Sequence, residues 1–333
     1  MDRRAAARRP LTDRDRGLVS SAGNLDLVGP GGDPGLFGPA SLTWRLDREA
    51  FLLLGAGPRA LLLQIAHPAV AAGVADHSSF RADPWGRLAG TLRSYLRIVY
   101  GTTAEARAEV RRLNVLHRTV RGARPDGLVY DAGDPALRLW VHATLVDSTL
   151  TTAAAWLGEP AAHPSARARI YEESLPVGRA FGIPARLLPR DVDAFDEYVT
   201  SMLAPGGPVA PGPLARELAA VILHPPPGPA IRTMAAAAEA HVPPPLASVL
   251  AAAGDRIPAT AVSWLLWPSI GLLPERVRLA YGLPWDPVRR AVSEWLVASW
   301  RGWNAILPDA LREMPQARAA DRRVRGTGRE TAP

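Results

Sequence analysis

Residues 105–121 read EARAEVRRLNVLHRTVR, and the period of that stretch decides the fold class. Val110, Leu113, His117 and Val120 recur at intervals of three and four. This is the spacing of one helix face, so the segment is predicted to be a helix whose apolar stripe carries an imidazole toward the interior. Such a placement suits His117 as a metal ligand. Arg121 falls one helical turn further on, where a guanidinium reaches a carboxylate beside whatever the imidazole binds. The competing reading is a core histidine satisfied by one hydrogen bond, and for a lone histidine on an apolar face that reading starts ahead.

The same period extends outward in both directions. Asp83 with Pro84, and Asp134 with Pro135, pair an N-cap with proline at the first helical position, so helices are predicted to start near Trp85 and Ala136. Trp85, Leu88, Leu92, Tyr95 and Val99 mark the buried face of the first. Leu137, Val141, Thr144, Leu145 and Ser148 mark that of the second. The apolar run 60–75 contains Gln64, His67 and Pro68 and is shorter than a membrane span requires, so it reads as a buried helix kinked at the proline. Six tryptophans of the C-terminal third (264, 267, 285, 295, 300 and 303) stand at helical spacing and are expected to pack the core. No period-two pattern persists. The fold class is all-α, with a flexible Arg/Gly/Pro-rich segment at 1–40, a helical domain at 41–310 containing a Pro/Gly-rich connection within 204–229, and a basic tail at 311–333.

Composition removes several chemistries. All 39 basic residues are arginine, so Schiff-base, P-loop and other lysine mechanisms are excluded. Cysteine is absent, which excludes disulfides, thiol nucleophiles, cysteine-held clusters and thiolate-ligated heme. The net charge is +7, but residues 1–16 carry six Arg against three Asp and residues 317–333 carry five Arg against two acids, so each end supplies +3 and the body is near neutral. The reading is solvated ends and no nucleic-acid partner, with peripheral membrane contact left open. No apolar run follows the N-terminal arginines, and cytoplasmic residence is expected.

Polar residues inside apolar helices need a partner or a task, because an unpaired one costs on the order of a few kcal/mol. His67, before Pro68, is either functional or a structural group at a kink. Arg87 and Thr91 share a helix face and suit a small polar pocket, or else a solvated face. His142 is either a support for a bound cofactor or a histidine hydrogen-bonded locally, with Asp147 as its candidate partner. Signatures of di-iron bundles, zincins, dinucleotide folds and serine hydrolases do not occur. A helix-lined, histidine-bearing interior without cysteine is a reasonable host for heme.

Five short motifs carry a resemblance: Gln64-Ile65-Ala66-His67-Pro68, His77-Ser78-x-Phe80, Arg87-x-x-x-Thr91, Leu116-His117-x-x-Val120-Arg121-Gly122 and Trp140-Val141-His142-Ala143-Thr144. A later one is Leu272-Leu273-Pro274-x-x-Val277-Arg278-x-x-Tyr281-Gly282-x-x-Trp285. In order and approximate spacing the chain resembles the MpaB oxygenase and latex clearing protein (rubber oxygenase) family. The resemblance implies a globin-like helical core and a b-type heme with His117 as proximal ligand, Arg121 as propionate partner, and Arg87 and Thr91 near the distal side. Function is then expected to be oxygenation of an unsaturated hydrophobic small molecule by O2. The alternatives are a non-catalytic heme- or lipid-binding protein, and a heme-less member using His67 and His77 as acid and base. Rubber-cleaving members carry a lysine where this chain has Gly90, and residues 69–75 hold no counterpart to their carboxylate base.

Overall fold

The computed structural model describes residues 32–224 and 263–326. Residues 1–31 of the flexible segment expected over 1–40, residues 225–229 of the Pro/Gly-rich connection, and the last seven residues of the basic tail lie outside them. The architecture is all-α, as the periodicity predicts. In chain order the first helices are α1 (Leu42–Asp47), α2 (Ala50–Ala66), α3 (Pro68–His77), α4 (Pro84–Tyr100) and α5 (Thr103–His117). A hairpin of β1 (Arg121–Ala123) and β2 (Val129–Asp131) precedes α6 (Pro135–Leu157), α7 (Glu159–Ala162), α8 (Pro164–Ala180), α9 (Val192–Leu203) and α10 (Pro213–Leu223). The C-terminal part holds α11 (Trp267–Gly271), α12 (Glu275–Ala280), α13 (Pro287–Ile306), α14 (Asp309–Arg312) and α15 (Pro315–Arg325).

The cap signals place the helix starts well. Asp83 accepts from the Gly86 amide with Pro84 at the first turn of α4, and Asp134 accepts from the Ala136 amide with Pro135 opening α6. The expected kink is sharper than a bend. His67 leaves helical geometry, and α2 and α3 meet at 103°, because Pro68 disfavours helical geometry in the residue before it and lacks the amide the helix would need.

The deciding stretch is not one helix. Thr102 and Glu105 form a capping box at the start of α5, but the helix ends at His117. The Thr119 hydroxyl donates to the Leu116 carbonyl and the Val120 amide to that of His117, closing the chain into a turn. Arg121 then pairs with Asp131 in an antiparallel register, with Gly127 at positive φ in the connecting turn. The strands are only three residues each, too short for an alternation to register.

α6 lies at the centre, packed against α2 with α8 and α9 on another side, around Ala143, Leu150, Trp156, Tyr171 and Phe195. A second cluster joins α2 and α3 to α10 and α12 through Leu62, Leu63, Leu218 and Val277. A third joins α1, α4 and α15 through Trp44, Leu96, Tyr100, Ala317 and Ala320. Parts of the segment read as flexible (1–40) and of the C-terminal end read as solvated (317–333) are thus built in. The Gly32 amide donates to the Arg323 carbonyl, Asp33 accepts from Thr103, and α15 buries Ala317, Ala320 and Val324. Buried Arg312 pairs with Glu49 and Glu313, tying α14 to the start of α2. The tryptophan expectation holds for Trp267, Trp285 and Trp300, which pack on neighbouring rings, but Trp295 and Trp303 face outward.

Candidate active site

α4 and α5 form a closely packed hairpin, and Arg87 of α4 and Arg138 of α6 lie near enough to His117, at the end of α5, for their charges to act on it. His117 ends α5 half-buried, and its ring makes no hydrogen bond among the described residues. Burial first, then the positive charges of Arg138 from α6 and Arg87 from α4, hold the imidazole below its ordinary range. Its ring nitrogens are uncommitted among the described residues, and each of these causes favours the neutral form.

The two arginines are held differently. Arg87 donates through Nε to the Ser78 hydroxyl at 3.1 Å and through its terminal nitrogen to the Thr91 hydroxyl. Thr91 in turn donates to the Arg87 carbonyl at 2.9 Å. The helix spacing that placed Arg87 and Thr91 on one face thus becomes a direct contact. Arg138 donates to the Ala132 carbonyl at 3.1 Å and the Phe181 carbonyl at 2.9 Å, and it lies against Gly182, which has no Cβ to obstruct it. Sequence reasoning passed over Arg138. The available signal was its position four residues before His142, an arginine on the longest helix among the described residues.

Leu88 of α4, Leu116 of α5 and Leu145 of α6 are exposed apolar side chains on the same three helices.

The remaining candidates go elsewhere. Arg121 lies on β1, exposed, and pairs with Asp131 at 3.2 Å across the hairpin, so it does not stand a helical turn beyond His117. The helix that would have carried it there has already ended. His77 is exposed at the end of α3, its Nε2 at 3.1 Å from both the Arg121 carbonyl and the Tyr130 hydroxyl. Tyr130 itself donates to Asp76 at 2.6 Å. This set fastens the hairpin to α3. His67 caps α3, its Nδ1 accepting from the Ala69 amide at 3.2 Å. Burial, with Arg124 adding to it, lowers the His67 pKa.

His142 points toward α8. Its Nε2 is buried without a partner, and burial pushes its pKa down to about 4. The ring fits because Gly178 faces it, where a Cβ would lie 3.1 Å from Nε2. Asp147, the partner expected for His142, instead pairs with Arg59 at 2.6 Å.

The structure therefore links Arg87, Thr91 and Ser78 by hydrogen bonds and leaves His117 within reach of the Arg87 and Arg138 charges. It separates His67, His77 and Arg121 into helix capping and hairpin contacts, and His142 into the α6–α8 contact. Among the described residues no three His, Asp or Glu side chains converge as a protein-only metal site. No single helix among them is long and apolar enough to cross a membrane, and the bent pair α2 and α3 that passes by length and composition contributes to the buried core.

The family model described as the ER-bound oxygenase mpaB/B'/rubber oxygenase catalytic domain matches residues 44–303. The uncharacterized protein Rv2237 of Mycobacterium tuberculosis and the uncharacterized protein Mb2261 of Mycobacterium bovis are each 32% identical to this chain over 143 residues. The match covers 41% of this chain and 55% of each relative, so the chain spans about half the length of the curated relatives it matches. No solved structure matches it.

Proposed function

This chain belongs to the family of the mpaB and rubber oxygenase catalytic domains, a family of oxygenases, and on that premise we propose that it is a heme-dependent oxygenase with His117 as the protein ligand to a b-type heme. The observation that carries the proposal is the placement of His117: a half-buried imidazole at the end of α5, free of hydrogen bonds among the described residues, with the cations of Arg87 and Arg138 nearby.

The residues fit the group. Heme needs one nitrogen donor in its neutral form, apolar surface for the macrocycle and cations for two carboxylates. His117 offers the first, exposed Leu88, Leu116 and Leu145 the second, and Arg138 and Arg87 the third. Bound there, heme would supply the activation of O2. The chain's own part is positional. Arg138, tied to two carbonyls, is a fixed positive charge. The Arg87 and Thr91 pair presents a guanidinium and a hydroxyl held to one another, which suits orienting a small polar ligand. The exposed leucines favour an apolar substrate.

The substrate class proposed is an unsaturated lipid, terpenoid or aromatic compound rather than polyisoprene, because Gly90 replaces the lysine of the rubber-cleaving members and residues 69–75 carry no carboxylate. The same two departures favour, as a second reading, a protein that binds heme or lipid without turnover.

The test is the absorption spectrum of protein made with added heme precursor, beside His117→Ala. A Soret band in the wild type that the variant loses is the expected result. A wild type without the band removes the heme proposal. Substrate-dependent oxygen uptake by the heme-loaded protein then separates oxygenase from binding protein.

A further inference from the structure

The outer face of α13 is apolar along its whole length. Val288, Trp295 and Ile306 are 65%, 67% and 71% exposed, and Ala291, Ala298 and Gly302 fill the stripe between them. At 100° per residue these six fall within one band of the helix, with Trp303, 60% exposed, at its edge. No charged residue lies inside the band. The opposite face is already committed to the protein, through Leu296, Ser293 and Trp300. Near the N-terminal end, off the band, the Arg289 guanidinium lies over the rings of Trp264 and Trp267.

An exposed helix face of this kind needs an occupant, and three features select one. The charged residues of α13 at one border of the band are Arg290, Glu294 and Arg301, and neither arginine makes an ion pair among the described residues, whereas Arg289 is neutralised by Asp286. Spare guanidinia beside tryptophan complement anionic headgroups above an acyl layer. The band is also narrow: about 30 Å long and roughly 10 Å wide, or on the order of 300 Å², against the roughly 800 Å² per partner of a standard protein interface. A second copy of this chain is therefore a poor match. Tryptophans with open indole faces, lying lengthwise with small residues between, suit the boundary of a bilayer instead.

We propose that α13 is a membrane-surface helix, docking the protein in the plane of an anionic lipid bilayer through Val288, Trp295, Trp303 and Ile306, with Arg290 and Arg301 at the headgroups. This does not depend on the heme proposal, since the face lies on a different element from His117 and its readout is lipid binding.

The experiment floats the full chain on a density gradient with phosphatidylcholine vesicles and with vesicles containing about a third phosphatidylglycerol. Trp295→Glu/Ile306→Glu and Arg290→Ala/Arg301→Ala are run beside the wild type, with Val129→Glu on the exposed hairpin as control. The expected result is flotation with anionic vesicles, lost by about tenfold or more in the Trp295/Ile306 variant at an unchanged melting temperature, and unaffected by Val129→Glu. The double arginine variant should lose the preference for anionic over neutral vesicles, and it keeps the test decisive if the acidic variant misfolds. Absence of flotation by the wild type overturns the proposal. So does flotation that neither variant alters, or a concentration-dependent dimer in sedimentation velocity that Trp295→Glu/Ile306→Glu abolishes.

Discussion

The Arg59 guanidinium, buried in the middle of α2, reaches the Asp147 carboxylate of α6 at 2.6 Å, and the same nitrogen donates to Ser148 at 3.0 Å while Nε donates to the Leu272 carbonyl at 2.9 Å. One side chain thus ties the central helix pair to the loop after α11. Breaking such a pair from one side leaves a buried charge uncompensated. Asp147→Ala is expected to destabilise the protein by about 3 kcal/mol, read from urea unfolding, whereas a surface change such as Glu217→Ala, removing an exposed pair with Arg81, is expected to move it by less than about 1 kcal/mol. Equal losses from both would contradict the assignment of Arg59 as a buried anchor.

Asp47 is buried at the end of α1 with the Tyr95 hydroxyl donating to it at 2.7 Å. Burial raises its pKa to about 7, the Tyr95 hydrogen bond opposing and the Glu173 charge adding. The folded state therefore holds a proton that the unfolded chain releases near pH 4. Stability from this group is full below about pH 4 and is lost as pH rises toward 7. Asp47→Asn, which keeps an acceptor for Tyr95, should abolish that component. Urea midpoints at pH 5 and pH 7.5 for both proteins are the measurement, and parallel slopes would rule out the titration.

His142 works in the opposite direction. Its folded pKa of about 4 lies below the ordinary value of 6.5, so the unfolded chain binds a proton that the folded one does not. The stability it permits at neutral pH is lost as pH falls from about 6.5 to 4. Because its Nε2 is also buried without a partner, His142→Leu is expected to leave stability at pH 7 unchanged or higher by about 1 kcal/mol and to reduce the loss between pH 7 and pH 5. Gly178→Ala, by contrast, presses a methyl group against both His142 and Leu188 and should cost about 1–3 kcal/mol. A destabilised leucine variant at neutral pH would mean that the imidazole has a partner after all.

Arg138 acts on His117 through its charge, the largest contribution after burial. Arg138→Gln retains a donor for the Phe181 carbonyl while removing the cation. The His117 imidazole of the heme-free protein should then titrate at higher pH, followed by NMR, and the heme-loaded variant should release heme faster while keeping its Soret band. An unshifted His117 titration would place Arg138 outside the site. His117→Ala alone should remove the band.

Much of this molecule was readable before any coordinates. Capped helix starts at Asp83 and Asp134, the break at His67, and the contact between Arg87 and Thr91 all follow from interactions within a few residues, and local spacing is enough to encode them. The motifs spread from Gln64 to Trp285 likewise pointed to the family whose model matches residues 44–303.

What the sequence determined by itself is the helical class, the capped helix starts, the absence of lysine and cysteine chemistry, and His117 as a residue needing explanation. Tertiary structure alone decided that Arg121 belongs to a hairpin and pairs with Asp131, that Arg138 comes near enough to His117 for its charge to act, that Asp147 pairs with Arg59, and that Trp295 and Trp303 face outward. Each of these depends on which remote element comes alongside. A helix period states which residues share a face, but not what that face meets, and burial, pairing and charge are properties of the meeting.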